Sequence, residues 1–298
     1  MSAASRRYDL LRPRLKRFTR MLHGLESADS KSVHQARVAS RRLRELLPVL
    51  QLESHTAVKL GRRLRGITQT LGPVREADVL LTLIAELEDR HEGTDSAALA
   101  QVAAHVRSRR HRAAERATNK ATIGEYRRLS KKLERAARFV EEGQTGTHPG
   151  RGWQWALEAR VARRAAALAA SMKSAGAVYL PERLHAVRIA LKKLRYAVEL
   201  NEQAAARKRS PERRRLKRVQ DMLGRLHDLQ VLLDHVRQAH ATAPNPDVTS
   251  RRQFDRLVRH LEDDCRRIHA RYMRERPKLE ALCQRLSVGT PAAVRRAG

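Results

Sequence analysis

The chain has 298 residues, enough for one large domain or two ordinary ones, and 63 Lys plus Arg against 32 Asp plus Glu give a formal net charge of +31. No apolar run approaches the ~18 residues of a membrane span, and two cysteines without a C-x-x-C pattern, Cys265 and Cys283, exclude a disulfide framework and a zinc ribbon. Abundant Ala, Leu and Val with aromatics at 3% is the palette of an all-α protein, while so large a cation excess costs self-repulsion unless an anionic partner is usually nearby.

Nucleic acid, an acidic membrane surface and a polyanionic metabolite are the candidate partners. The N-terminus MSAASRRYDLLRPRLKRF has no apolar signal core, and the cysteines read as helix residues of a reducing compartment, so a cytoplasmic setting is expected.

In chain order, Leu10, Leu11, Leu15, Phe18, Met21, Leu22 and Leu25 space one basic amphipathic helix over residues 5 to 25, with Pro13 expected to kink it unless it starts there. Ser30 or Ser32 is the expected cap of a second helix over about 32 to 52, with Pro48 near its end. A third helix over about 55 to 71 should end on Gly72 as a left-handed cap, with Pro73 opening the next, from Val74 to about His91. The segment HEGTDS reads as a loop, followed by helices from Ala97 to about Lys120 and from Gly124 to about Glu142.

Residues 143 to 152, GQTGTHPGRG, hold four glycines and a proline and read as a linker. Beyond it, helices are expected over Trp153–Ala175, Pro181–Ala206, Pro211–Gly224 and Arg225–His240. A loop ATAPNPD follows, then helices near 248 to 274 and 277 to 286, and a tail over 287 to 298 that reads as disordered.

The stretch Val33–Arg44, VHQARVASRRLR, recurs as Leu184–Arg195, LHAVRIALKKLR, with five of twelve residues identical and four more conservatively changed. A second pair, LGPVREADVLL at 71 to 81 and LGRLHDLQVLL at 223 to 233, lies at nearly the same offset: 38 residues from His34 to Gly72 and 39 from His185 to Gly224. The expected architecture is therefore an internal duplication: two helical bundles, 1–142 and 153–286, related by a pseudo-twofold axis around a basic central groove.

On a helix, His34, Arg37, Arg41 and Arg44 share one stripe, opposite an apolar stripe of Ala36, Ala39, Leu43, Leu46, Leu47 and Leu50. The second copy sets His185, Arg188, Lys192 and Arg195 opposite Val187, Ala190, Leu191, Leu194 and Val198. Val38 and Ile189 flank the histidines on the basic side, joined by Tyr196 in the second copy. A fully solvated face has little use for them, so this side is expected to border a groove between the halves. Arg65 and Lys217, two turns before the Leu-Gly segments, and Arg42 and Lys193, next to the stripe in each copy, form a second tier of candidate anion contacts.

His34 and His185 admit three readings: a polar residue satisfied by a neighbour, a metal ligand, or an anion contact. Neither has a His or acid at i+3 or i+4, which disfavours a metal, and each shares its stripe with three cations, which favours an anion. The alternating carboxylates Glu86 and Glu88 point ~200° apart on a helix and cannot share an ion. Glu76 and Asp228 occupy one repeat position and suit a helix N-terminus or an arginine partner better than acid–base work. No Walker loop, dinucleotide turn, G-x-S-x-G or H-E-x-x-H is present, so neither a catalytic site nor a cofactor is expected.

The two repeated motifs, in this order over about residues 5 to 286, resemble those of the CHAD family, the conserved histidine α-helical domain. The resemblance implies a two-bundle helical fold with a basic groove or pore. It also implies non-catalytic binding of inorganic polyphosphate, with placement at polyphosphate granules. Carried over by motif position, His34, Arg37, Arg41, Arg44, His185, Arg188, Lys192 and Arg195 would contact the phosphates. Arg75 opposite His227 and Asp78 opposite Gln230 break the symmetry of the second motif. Net charge alone supports nucleic-acid binding equally well, but few aromatics are available for stacking single strands and no helix-turn-helix stands out for duplex reading.

Overall fold

The computed structural model describes residues 3–90, 96–142, 152–242 and 248–288, all-α among the described residues. Its helices are α1 (Ala3–Leu25), α2 (Ser30–Leu46), α3 (Ser54–Thr70), α4 (Gly72–Arg90), α5 (Ser96–Thr118), α6 (Lys120–Glu141), α7 (Gly152–Ala175), α8 (Pro181–Ala204), α9 (Pro211–Thr242) and α10 (Val248–Val288). The expected loop at HEGTDS, the linker at 143 to 152 and the tail from 287 lie almost wholly outside the described residues; Ser287 and Val288 still belong to α10.

Several boundaries differ from the sequence reading. The cap of α2 is Asp29, whose carboxylate accepts the Ser32 N–H at 2.8 Å, so the serine is the capped residue. The helix stops at Leu46 and tightens into a 3-10 turn at Leu47–Val49, because Pro48 has no N–H to continue the ladder. Gly72 is not a left-handed cap. The chain turns at Leu71, which keeps right-handed φ and donates its N–H to Ile67 at 3.0 Å, and Gly72 opens α4 directly. In the second half no corner forms at all: α9 runs unbroken through Gly224.

A mid-helix glycine costs only about 1 kcal/mol, and α9 recovers more by burying Leu216, Val219, Leu223, Leu226, Leu229, Leu233 and Val236. Likewise α10 continues through Pro277, and α1 through Pro13. Around Pro277 the buried Tyr272, Leu279, Leu282 and Cys283 hold both arms of α10 in the core.

The apolar stripes are buried as the periodicity predicts, from Ala36 to Leu50 in α2 and its 3-10 extension and from Val187 to Val198 in α8, with Ala190 partly covered. Two cores result. One gathers α1, α2, α3, α6 and the end of α5, and also takes Trp153 and Leu157 of α7 and Leu200 of α8. The other joins α7 to α10 and draws in α4 from Ala77 onward and α5 up to Val106. The cores therefore exchange elements across the linker, and this brings α2 and α4 of the first half against α8 and α9 of the second.

Buried ion pairs fasten that junction. Glu199 of α8 accepts Arg42 of α2 at 2.8 Å, Arg213 of α9 at 3.2 Å and Arg195 of its own helix at 3.3 Å. Glu45 of α2 holds Arg160 of α7 at 2.5 Å. The odd pair in the second motif also has separate duties. Asp78 receives Arg110 at 2.6 Å, while Gln230 accepts the Tyr179 hydroxyl at 3.0 Å.

Candidate anion-binding groove

Where the two repeat helices face each other, a cavity of about 620 Å³ opens between α2, α4, α8 and α9. From α2 it receives His34, Arg37, Val38 and Arg41, and from α8 His185, Arg188, Ile189, Lys192, Arg195 and Tyr196. Seven of the eight primary candidates thus meet in one wall, with Val38, Ile189 and Tyr196 among them as the inward-facing reading required. The eighth, Arg44, lies one turn beyond, half-buried, with Nη1 3.5 Å from the Thr68 hydroxyl.

Six Lys and Arg side chains line the cavity, Arg75 of α4 being the sixth, against two carboxylates, Glu76 and Asp228. Each residue is held for a local reason. Arg37 donates Nη1 to the Thr68 carbonyl, and a Cβ on Gly72 would stand 3.2 Å from that nitrogen. Glycine at 72 therefore leaves room for the guanidinium. Arg195 donates Nε to Gln220 at 2.7 Å and lies 4.4 Å from the centre of the Tyr196 ring. Arg188 keeps its Nε buried with no protein partner. His185 and His227 meet at 3.4 Å between Nδ1 atoms, their rings tilted.

The electrostatics record crowding of like charge in a partly dehydrated space. Burial first, then Arg188, Arg41 and Arg37, push the Lys192 ammonium down to about 7, against the pull of Asp228. Burial and then Arg41 and Arg75 lower Arg37 to about 10. His227 falls to about 4 through burial, Arg188 and His185. His34 and His185, at the solvent-exposed mouth, are also lowered, by partial dehydration and then by Arg75 and Arg188 respectively. Burial raises Glu76 and Asp228 even though cations surround them. An anion entering here would oppose the downward shifts of the lysine, arginine and histidines and would push the two carboxyls further up.

The second-tier candidates do not reach the wall. Arg42 is committed to Glu199. Lys193 is exposed on the other side of α8, and Arg65 is exposed on α3, near enough to Arg44 to depress it. Lys217 pairs with Asp221 at 2.5 Å on the surface of α9. Conversely, Arg75 and His227, visible in the sequence only as a mismatch between the halves, both line the groove. Their signal was position: each directly precedes the carboxylate shared by the two second motifs. Glu86 of the alternating-acid stretch is tied to Arg225 at 2.6 Å, and the described residues contain no cluster of three metal-ligating groups.

The model of the CHAD domain family matches residues 9–237, a span that contains every groove residue. The chain belongs to the CHAD family. Among solved structures this CHAD protein is similar to PptA from Streptomyces chartreusis, at 18% identity over 92% of this chain and 99% of that one, with a TM-score of 0.68. It is also similar to the CHAD domain from the plant Ricinus communis, at 20% identity over 96% and 92%, with a TM-score of 0.61. At such identities the likeness speaks for the fold. No curated protein sequence matches the chain. No helix among the described residues is long and apolar enough to cross a membrane.

Proposed function

We propose that the groove binds inorganic polyphosphate, by contact and without catalysis, and that the protein acts in the cytoplasm at polyphosphate granules. The observation that carries this reading is the convergence of Arg37, Arg41 and Arg75 from one half with Arg188, Lys192 and Arg195 from the other on a single cavity. Mixed arginine forks and a lysine point charge suit a flexible chain of identical phosphates better than one rigid ligand. The unpartnered Arg188 Nε and the depressed Lys192 mark a site short of negative charge. Membership of the CHAD family agrees with it.

Nucleic acid is the competing polyanion. Tyr196, the single Phe, Tyr or Trp in the groove wall, is buried with Arg195 over its ring, which leaves little ring surface for a base to stack on. Titration with long-chain polyphosphate and with DNA, at two fixed salt concentrations because both release counterions, separates the two. Polyphosphate is expected to bind more tightly, and replacement of Arg37, Arg41, Arg188 and Lys192 by alanine to abolish that preference. Tighter DNA binding, or undiminished polyphosphate binding by the fourfold variant, overturns the reading. Release of phosphate from polyphosphate would overturn its non-catalytic part.

A further inference from the structure

We propose that the cleft between α3 and α6 is a second binding site, for a small amphipathic anion carrying a phosphate or carboxylate head on an aliphatic tail. It is a cavity of about 350 Å³ that shares no residue with the groove. That volume is near the lower end of small-ligand sites, which run roughly 300–1,000 Å³.

The wall has two chemistries. Leu52, Leu60, Ala136 and Phe139 provide an apolar surface, and Phe139 is the one phenylalanine of three that the core leaves partly uncovered. Around it stand Lys59 and Arg63 of α3 and Lys132 and Arg135 of α6. None of these four forms an ion pair among the described residues, whereas Arg42, Arg160 and Arg213 at the junction of the halves do. Their mutual proximity is felt at Lys132, lowered first by Arg63 and then, after slight dehydration, by Lys59 and Arg135.

A bare phosphate would satisfy the cations and leave the apolar wall wet, whereas a neutral hydrocarbon would leave the cations crowded. A head and tail in one molecule satisfy both. The contrast with the groove is informative, because there cations from α2, α4 and α8 share the wall with Val38, Ile189 and Tyr196, and here they stand around an apolar surface. Glu53 at one end of the cleft repels the head and so orients it toward Arg63 and Lys132.

The test is calorimetry of the full-length protein with octyl, decyl and dodecyl phosphate and decanoate, each below its micellar concentration, with inorganic phosphate as reference. Affinity is expected to rise up to about fourfold per methylene until the cleft is full. Binding should be lost on charge reversal of two of the four cations, R63E with K132E, and on plugging the cleft with A136W. It should survive R188A with K192A, which disables the groove instead. The ratio of decyl phosphate to decanoate affinity identifies the head, and either ligand binding in this pattern supports the site. Affinity independent of chain length, persistence in the R63E/K132E variant with unchanged helicity, or binding only to anionic vesicles and not to monomeric ligand, would each overturn it.

Discussion

Lys192 gives the sharpest test of the groove. In the unliganded protein its ammonium titrates at about 7 instead of the ordinary 10.5, because dehydration and the charges of Arg188, Arg41 and Arg37 oppose protonation. A phosphate chain lying along these cations reverses both effects. If it restores the ordinary value, binding at pH 8 draws about 0.9 proton onto Lys192, since roughly nine-tenths of the side chains start neutral. The sign follows: affinity is greatest below pH 7 and falls as pH rises from 7 toward 10.5, by about 25-fold between pH 6.5 and 8.5.

The histidines of the groove, all held below 6.5, add proton uptake mainly below that window, and the internal phosphates of a long chain stay ionised through it. Calorimetry at pH 8 in two buffers of different ionisation enthalpy counts the proton directly, at constant ionic strength. Lys192→Met should bind more weakly at pH 6.5 and lose most of the pH dependence. Uptake below about 0.3 proton, or the same uptake in Lys192→Met, would refute the assignment of a neutral lysine poised for the ligand.

Gly72→Ala should weaken polyphosphate binding several-fold, because its methyl would crowd Arg37 Nη1, whereas Gly224→Ala, with open space around it, should leave affinity unchanged and stabilise α9 by about 0.5–1 kcal/mol; calorimetry and thermal unfolding of the pair check both halves of the statement. Glu199→Gln leaves Arg42, Arg195 and Arg213 without their shared buried anion and should cost about 3 kcal/mol in urea unfolding followed by circular dichroism. Asp29→Ala removes the cap of α2 and should cost about 1 kcal/mol by the same measurement, with Ser30→Ala close to neutral.

Much of the groove was legible in the sequence because a helix repeats its two faces every turn, so a stripe of cations opposite a stripe of aliphatics fixes what points where. Two copies of one stripe, each carrying an apolar residue beside its histidine, pointed inward, and the cavity contains Val38 and Ile189 accordingly. What was not legible depended on tertiary partners. Arg42 is next to Arg41 in the chain and no less basic, and only the position of Glu199, on another helix, commits it to structure. Gly224 and Pro277 read as breaks because local propensity disfavours them in helices, but burial on both sides outweighs a penalty of a few kcal/mol. Arg75 and His227 stood out only as a mismatch and were not assigned to the groove, because a comparison of repeats rewards identity and these two positions share only a location.

The carboxylates Glu76 and Asp228 give the groove a threshold of valence. Each already offsets part of the positive potential, Glu76 beside Arg37 and Asp228 beside Arg188 and Lys192. A lone small anion entering there meets cations that are partly answered and two negative charges that repel it. A long polyanion reaches Arg41 and Arg75, which form no ion pair among the described residues, at the same time, and the repulsion is spread over many contacts. If the groove binds polyphosphate as proposed, these built-in acids make it a discriminator of charge number, passing over small phosphates in favour of linked ones.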